Sequence, residues 1–141
     1  MTKTTLTVAS LILTLIATPA YSGEIDKLIA KYGVGETLRL ACDKLNESTP
    51  LRVDNLTMLD AVSAYGKTAN LRHTIDIPAG ARVSDIQRWF EEEGEQDLIN
   101  GICTDPTPRA LIDNGATYKY SFAATDGEHI IHIFVDKHDC I

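Results

Sequence analysis

Residues 68–77 read TANLRHTIDI, and the alternation in that stretch decides the fold class. Leu71, His73, Ile75 and Ile77 share one parity, while Asn70, Arg72, Thr74 and Asp76 share the other. Successive side chains of a strand point to opposite faces, so the pattern describes a half-buried strand with His73 on its apolar side. Ahead of it, Arg52–Ser63 is a second extended segment, and Ala64-Tyr65-Gly66-Lys67 between the two supplies a glycine for a tight reversal. An antiparallel hairpin is expected here.

Reading toward the N-terminus, Ile25, Leu28, Ile29 and Tyr32, then Leu38, Ala41, Cys42 and Leu45, recur at helical spacing. Gly33 and Gly35 divide them into two short helices or one kinked helix, and Asn46–Pro50 ends the run. Toward the C-terminus, Pro78-Ala79-Gly80 closes the strand. Ser84 and Gln87 have the spacing of a capping box, and Ile86, Trp89, Phe90, Leu98, Ile99 and Ile102 make the buried stripe of a second helical region that Gly94 bends or breaks. Pro106 and Pro108 cannot continue that helix. A short helical turn follows at Arg109–Ile112. Thr117–Ala123, with Tyr118, Tyr120 and Phe122 on one face, pairs across an Asp126-Gly127 turn with His129–Lys137. The order helix, hairpin, helix, hairpin predicts a two-layer α+β domain: a four-stranded antiparallel sheet built from two hairpins, with helices on one face. An Asp-Asn pair precedes each hairpin, at Asp54-Asn55 and Asp113-Asn114, which suggests an internal duplication.

Residues 1–22 have a short start carrying Lys3, an apolar run Leu6–Ala17, and a small-residue stretch ending Ala20-Tyr21-Ser22. This is the layout of a signal peptide with cleavage before Gly23, leaving residues 23–141 as a single domain. The apolar run, about 12 residues, falls short of the roughly 20 that span a bilayer as a helix. A periplasmic or secreted location is expected, with no membrane insertion after cleavage. The chain of 141 residues carries a net charge of −7, so it lacks the excess of Lys and Arg that a nucleic-acid surface requires. With 44% hydrophobic and 23% charged residues it has the composition of a folded domain.

Export places Cys42, Cys103 and Cys140 in an oxidising compartment, where three cysteines allow one internal disulfide and three pairings. Position favours Cys103–Cys140, which ties a helix end to the segment beyond the last strand. Cys42 falls on an apolar helix face and reads as a buried, inert thiol.

The stretch from Leu45 to Cys140 resembles a family of small exported bacterial proteins of unassigned function. The resemblance is carried by LN-x-x-x-P at Leu45–Pro50, VD-x-x-T-x-LDAVSA at Val53–Ala64, GKT at Gly66–Thr68 and C-x-x-P at Cys103–Pro106. R-x-L-x-x-G-x-x-Y-x-Y at Arg109–Tyr120, DG at Asp126-Gly127 and the terminal DC at Asp139-Cys140 complete it. It implies Cys103 and Cys140 as the pair, leaves Cys42 outside the pattern, and carries over no catalytic residue.

Candidate sites are few. His129 and His132 would have a metal-ligand spacing on a helix, but residues three apart on a strand point to opposite faces, which defeats joint ligation. His132, Asp136 and His138 share a parity. No nucleophile motif occurs, and Asp54, Asp60 and Asp113 cannot be ranked as acid or base from spacing alone. Arg109 either holds an anion or closes the helix end at Gly101–Thr104. Glu91, Glu92, Glu93, Glu95 and Asp97 form the densest charge run, either a solvated helix face or a docking surface for a basic partner. No catalytic residue, metal or cofactor is assigned. The expected function is a non-enzymatic binding module of inhibitor, immunity or assembly-adaptor type, acting on another envelope or secreted protein. A small hydrolase or metal-dependent enzyme is the alternative.

Overall fold

A computed structural model describes the backbone of residues 19–141 and the side chains of residues 23–141. The expected signal segment 1–22 lies outside the described residues, apart from the backbone of 19–22. The elements are α1 (Pro19–Tyr32), α2 (Val34–Asn46), β1 (Leu51–Arg52), β2 (Thr57–Tyr65), β3 (Thr68–Ile75), α3 (Val83–Trp89), a π-helical turn (Phe90–Gly94), α4 (Glu95–Thr104), α5 (Pro106–Asp113), β4 (Thr117–Ala124) and β5 (His129–Val135).

Gly33, at φ 84°, separates α1 from α2 by adopting a conformation that side chains disfavour. Val34, Thr37, Leu38, Cys42 and Leu45 form the buried stripe of α2, while Arg39 pairs with Glu36 and Asp43 on its solvent face. The sheet has five strands in the order β1-β2-β3-β4-β5. Its hairpins β2/β3 and β4/β5 are antiparallel as expected, but β3 and β4 run parallel, from Thr68 beside Thr117 to Ile75 beside Ala124. The expected four-stranded antiparallel sheet is therefore corrected to a five-stranded mixed one. The chain leaves β3 at Ile75, crosses through α3, α4 and α5, and re-enters at Thr117 on the side where β3 began. A helical crossover of that kind delivers a parallel neighbour.

The fifth strand comes from splitting the segment expected at Arg52–Ser63. One carboxylate oxygen of Asp54 accepts the N–H groups of both Leu56 and Thr57 at 2.8 Å. This side-chain turn reverses the chain and lays Leu51-Arg52 beside Met58-Leu59. Asp113, in the other Asp-Asn pair, instead accepts from Arg109 Nε at 2.8 Å at the end of α5. The two pairs do different work, so the local likeness of the halves is not a structural repeat at these positions.

Two helix starts also differ from expectation. Asp85, not Ser84, caps α3 by accepting the N–H of Arg82 at 2.9 Å, and Gln87 donates instead to the carbonyl of Ile130 on the edge strand β5 at 3.0 Å. Pro106, expected to end a helix, opens α5. It needs no N–H at the first helical position, and the side chain of Asp105 accepts from Thr107 N at 3.1 Å as the cap.

One face of the sheet, with Leu59, Leu71, Ile75, Tyr120, Phe122 and Ile133, packs on Leu38, Ile102, Leu111 and Ile112 of the helices. The opposite face carries Met58, Asp60, Arg72, Thr74, Lys119, Ser121, His132 and Phe134, all half-buried or exposed. Among the described residues nothing covers it. No helix among them is long and apolar enough to cross a membrane.

Candidate functional site

The open sheet face is shaped by a bulge. Phe122 pairs with Ile131 but Ala123 pairs with His129, so Ile130 is an extra residue that the alternation has to absorb. Its side chain is buried. The consequence is that His129 and His132, expected on opposite faces, stand on the same one, with ring centroids 4.4 Å apart and planes tilted by 41°. The opposite-face expectation assumed an uninterrupted strand, and the bulge cancels it. Ser121, across the ladder from His132, brings its Oγ to 2.9 Å from His132 Nδ1. Partial desolvation, followed by the nearby His129 and Lys119, holds the His132 pKa below the usual histidine value. All three influences favour the uncharged ring. The Lys119 ammonium itself lies 5.7 Å from the centre of the Phe134 ring.

Beside this cluster, Thr74 Oγ1 donates to Asp60 at 2.6 Å. Asp60 is itself the extra residue of a bulge between Leu59 and Ala61. Asp60, Arg72, Thr74, Ser121, His129 and His132 line a shallow groove of about 430 Å³. Chemically the groove offers two hydroxyls, two imidazoles and a mixed charge rim. A serine hydrogen-bonded to a neutral histidine is half of a nucleophilic triad. The group beside His132, however, is another imidazole, not the carboxylate that orients and stabilises a catalytic histidine.

The other sequence candidates lie elsewhere. His73 is 2% exposed, its ring stacked on Phe122 at 4.6 Å and Tyr120 at 5.8 Å. Neither ring nitrogen has a hydrogen-bond partner, and burial pushes its pKa down to about 4. Cys42 is buried, and burial, with the Asp43 charge adding, pushes its thiol up to about 12, so it is protonated and unreactive. His138 is held in a C-terminal turn, its N–H donating to Asp136 at 2.8 Å. That N–H, desolvation notwithstanding, holds the Asp136 carboxyl below its usual pKa. No cluster of three His, Cys, Asp or Glu side chains suited to a metal occurs among the described residues.

Cys103 and Cys140 are bonded, with Cα atoms 5.2 Å apart. Arg109 clamps the same place, donating to the carbonyl of Cys103 at 3.2 Å and to that of Cys140 at 3.0 Å. Of the two roles open to Arg109 in the sequence, it takes the helix-closing one. In the acidic run, Glu91, Glu92 and Glu93 are exposed on the π-helical turn, Asp97 is exposed on α4, and Glu95 is half-buried. Phe90, just before them, is core, 4.7 Å from the Phe122 ring. Sequence reasoning did not single out Ser121. Its parity places it on the open face, but its pairing with His132 depends on the register across the bulge.

No protein-family model matches the chain, and no curated protein matches it in sequence. Solved structures do share its fold. A Pseudomonas aeruginosa protein described as secreted superposes with a TM-score of 0.67 at 15% identity, covering 78% of this chain and 95% of that one. The type II secretion system pilotin EpsS of Vibrio vulnificus gives 0.62 at 16% identity, covering 84% and 97%. The pilotin AspS of the Vibrio cholerae type II secretion system gives 0.61 at 17%, covering 85% and 99%. At these identities the likeness is one of fold: a small α+β domain shared by a secreted protein and two secretion-system pilotins.

Proposed function

We propose that the chain is an exported, non-enzymatic module of the cell envelope that works as an assembly adaptor by binding another envelope or secreted protein. The observation that carries this reading is the fold likeness to two type II secretion pilotins across most of this chain. The signal-peptide layout of residues 1–22 supports it, as does the Cys103–Cys140 bond, which suits an oxidising compartment. The exposed carboxylates of Glu91, Glu92 and Asp97 give the partner-binding surface a negative field, which selects a basic segment.

The test is affinity capture from the envelope fraction of the native host, followed by kinetics with the purified partner. A single stoichiometric partner is expected, binding more slowly as salt rises. Glu91→Gln with Glu92→Gln should slow association several-fold and flatten the salt dependence while leaving dissociation nearly unchanged. Ester hydrolysis that disappears in Ser121→Ala would overturn the adaptor reading in favour of a small hydrolase.

A further inference from the structure

We propose that His129 and His132 form a two-imidazole chelate for a divalent transition-metal ion on the open sheet face, oriented by Ser121 and completed by water or by a side chain of a bound partner. The inference stands apart from the adaptor reading, because it follows from the bulge alone. Two imidazoles bound side by side to one ion, with metal–nitrogen bonds of about 2.0–2.1 Å, have ring centroids roughly 4.5–5 Å apart. The observed 4.4 Å is already near that separation. Were β5 regular at Ile130, the two rings, three residues apart, would lie on opposite faces of the strand, so the bulge does what a helix does for the same i, i+3 spacing.

The Ser121 contact suits the same purpose. When His132 Nδ1–H donates to Ser121 Oγ, the 2.9 Å bond fixes the tautomer whose Nε2 lone pair is free to ligate. Two positive side chains oppose a cation here, Lys119, whose ammonium lies 5.7 Å from the centre of the Phe134 ring, and Arg72, which lines the same groove. Imidazole donors select Cu²⁺, Zn²⁺ or Ni²⁺ over the oxygen-preferring Mg²⁺ and Ca²⁺, with Cu²⁺ the tightest of the series. Because the chain supplies two ligands, open positions remain on the ion, which suits a metal bridge to a partner more than a closed structural site.

Calorimetric titration of the purified chain with Cu²⁺ and Zn²⁺ alone tests this. One equivalent of Cu²⁺ should bind, Zn²⁺ more weakly, and Mg²⁺ not at all. His129→Ala and His132→Ala should each lower the affinity about 10-fold or more, and Ser121→Ala should lower it by a comparable factor without changing the stoichiometry. His138→Ala should leave binding unchanged. Both rings are exposed, so circular dichroism of the variants should match the parent. Absence of binding, binding that survives His129→Ala with His132→Ala, or binding lost in His138→Ala would each overturn the proposal.

Discussion

His73 is a histidine that the fold keeps uncharged. Its ring stacks on Phe122 and Tyr120 with neither nitrogen in a well-formed hydrogen bond, and burial, opposed by the nearby backbone of Ser121 and Leu71, lowers its pKa from 6.5 to about 4. A histidine whose folded pKa is depressed binds its proton more readily in the unfolded chain. Its contribution to stability is therefore fully present above about pH 6.5 and is lost as pH falls through about 4, a difference of about 3 kcal/mol. His73→Phe should be at least as stable at pH 7, since an apolar ring replaces unsatisfied nitrogens. Between pH 6.5 and 4, urea unfolding should show the parent losing stability relative to the variant. Parallel curves would mean that the ring is reached by water or by a partner in solution. Asp54 shows the opposite use of a polar side chain, since its carboxylate builds the turn that creates β1.

At the scale of the element, the segment from Val83 to Thr104 is one helical run reset by the π-helical turn. Gly94 has ordinary helical dihedrals, φ −64° and ψ −40°, so its value lies in the missing side chain and not in unusual backbone. A Cβ there would stand 2.3 Å from the Trp89 ring. Gly→Ala inside a helix normally stabilises by roughly 0.5–1 kcal/mol. Here the sign should reverse: Gly94→Ala should destabilise by about 1–3 kcal/mol as Trp89 is forced off its site against Phe90. Denaturant unfolding measures the loss, and a shift in Trp89 emission reports the displacement. A stabilised Gly94→Ala would show that the tryptophan has room to move.

For the whole molecule, the C-terminal segment is joined to the helical layer at one place, where the Cys103–Cys140 bond and the Arg109 side chain meet. The bond closes a loop with a sequence separation of 37, which on a chain-entropy account stabilises by about 4 kcal/mol. Cys103→Ser with Cys140→Ser should lower stability by about 2–4 kcal/mol in urea titrations, with the sheet retained in circular dichroism. In the parent, one thiol should label with iodoacetamide, and only after unfolding. Labelling of Cys42 in the native state would contradict its burial.

What the sequence determined by itself is what depends on neighbours along the chain. Alternation in Thr68–Ile77 placed Leu71, His73 and Ile75 inside, parity placed Tyr118, Tyr120 and Phe122 together, and helical spacing buried Cys42, all as observed. The Asp54 turn was present as a signal too, since Asp-Asn is turn chemistry, but one continuous strand hid it. Tertiary structure decided the rest. Whether β3 and β4 run parallel depends on where the helical crossover returns the chain, and no local pattern records that. The meeting of Ser121, His129 and His132 depends on the same kind of information. A single bulged residue shifts every later side chain of a strand to the other face, and a bulge exists only in the pairing of two strands.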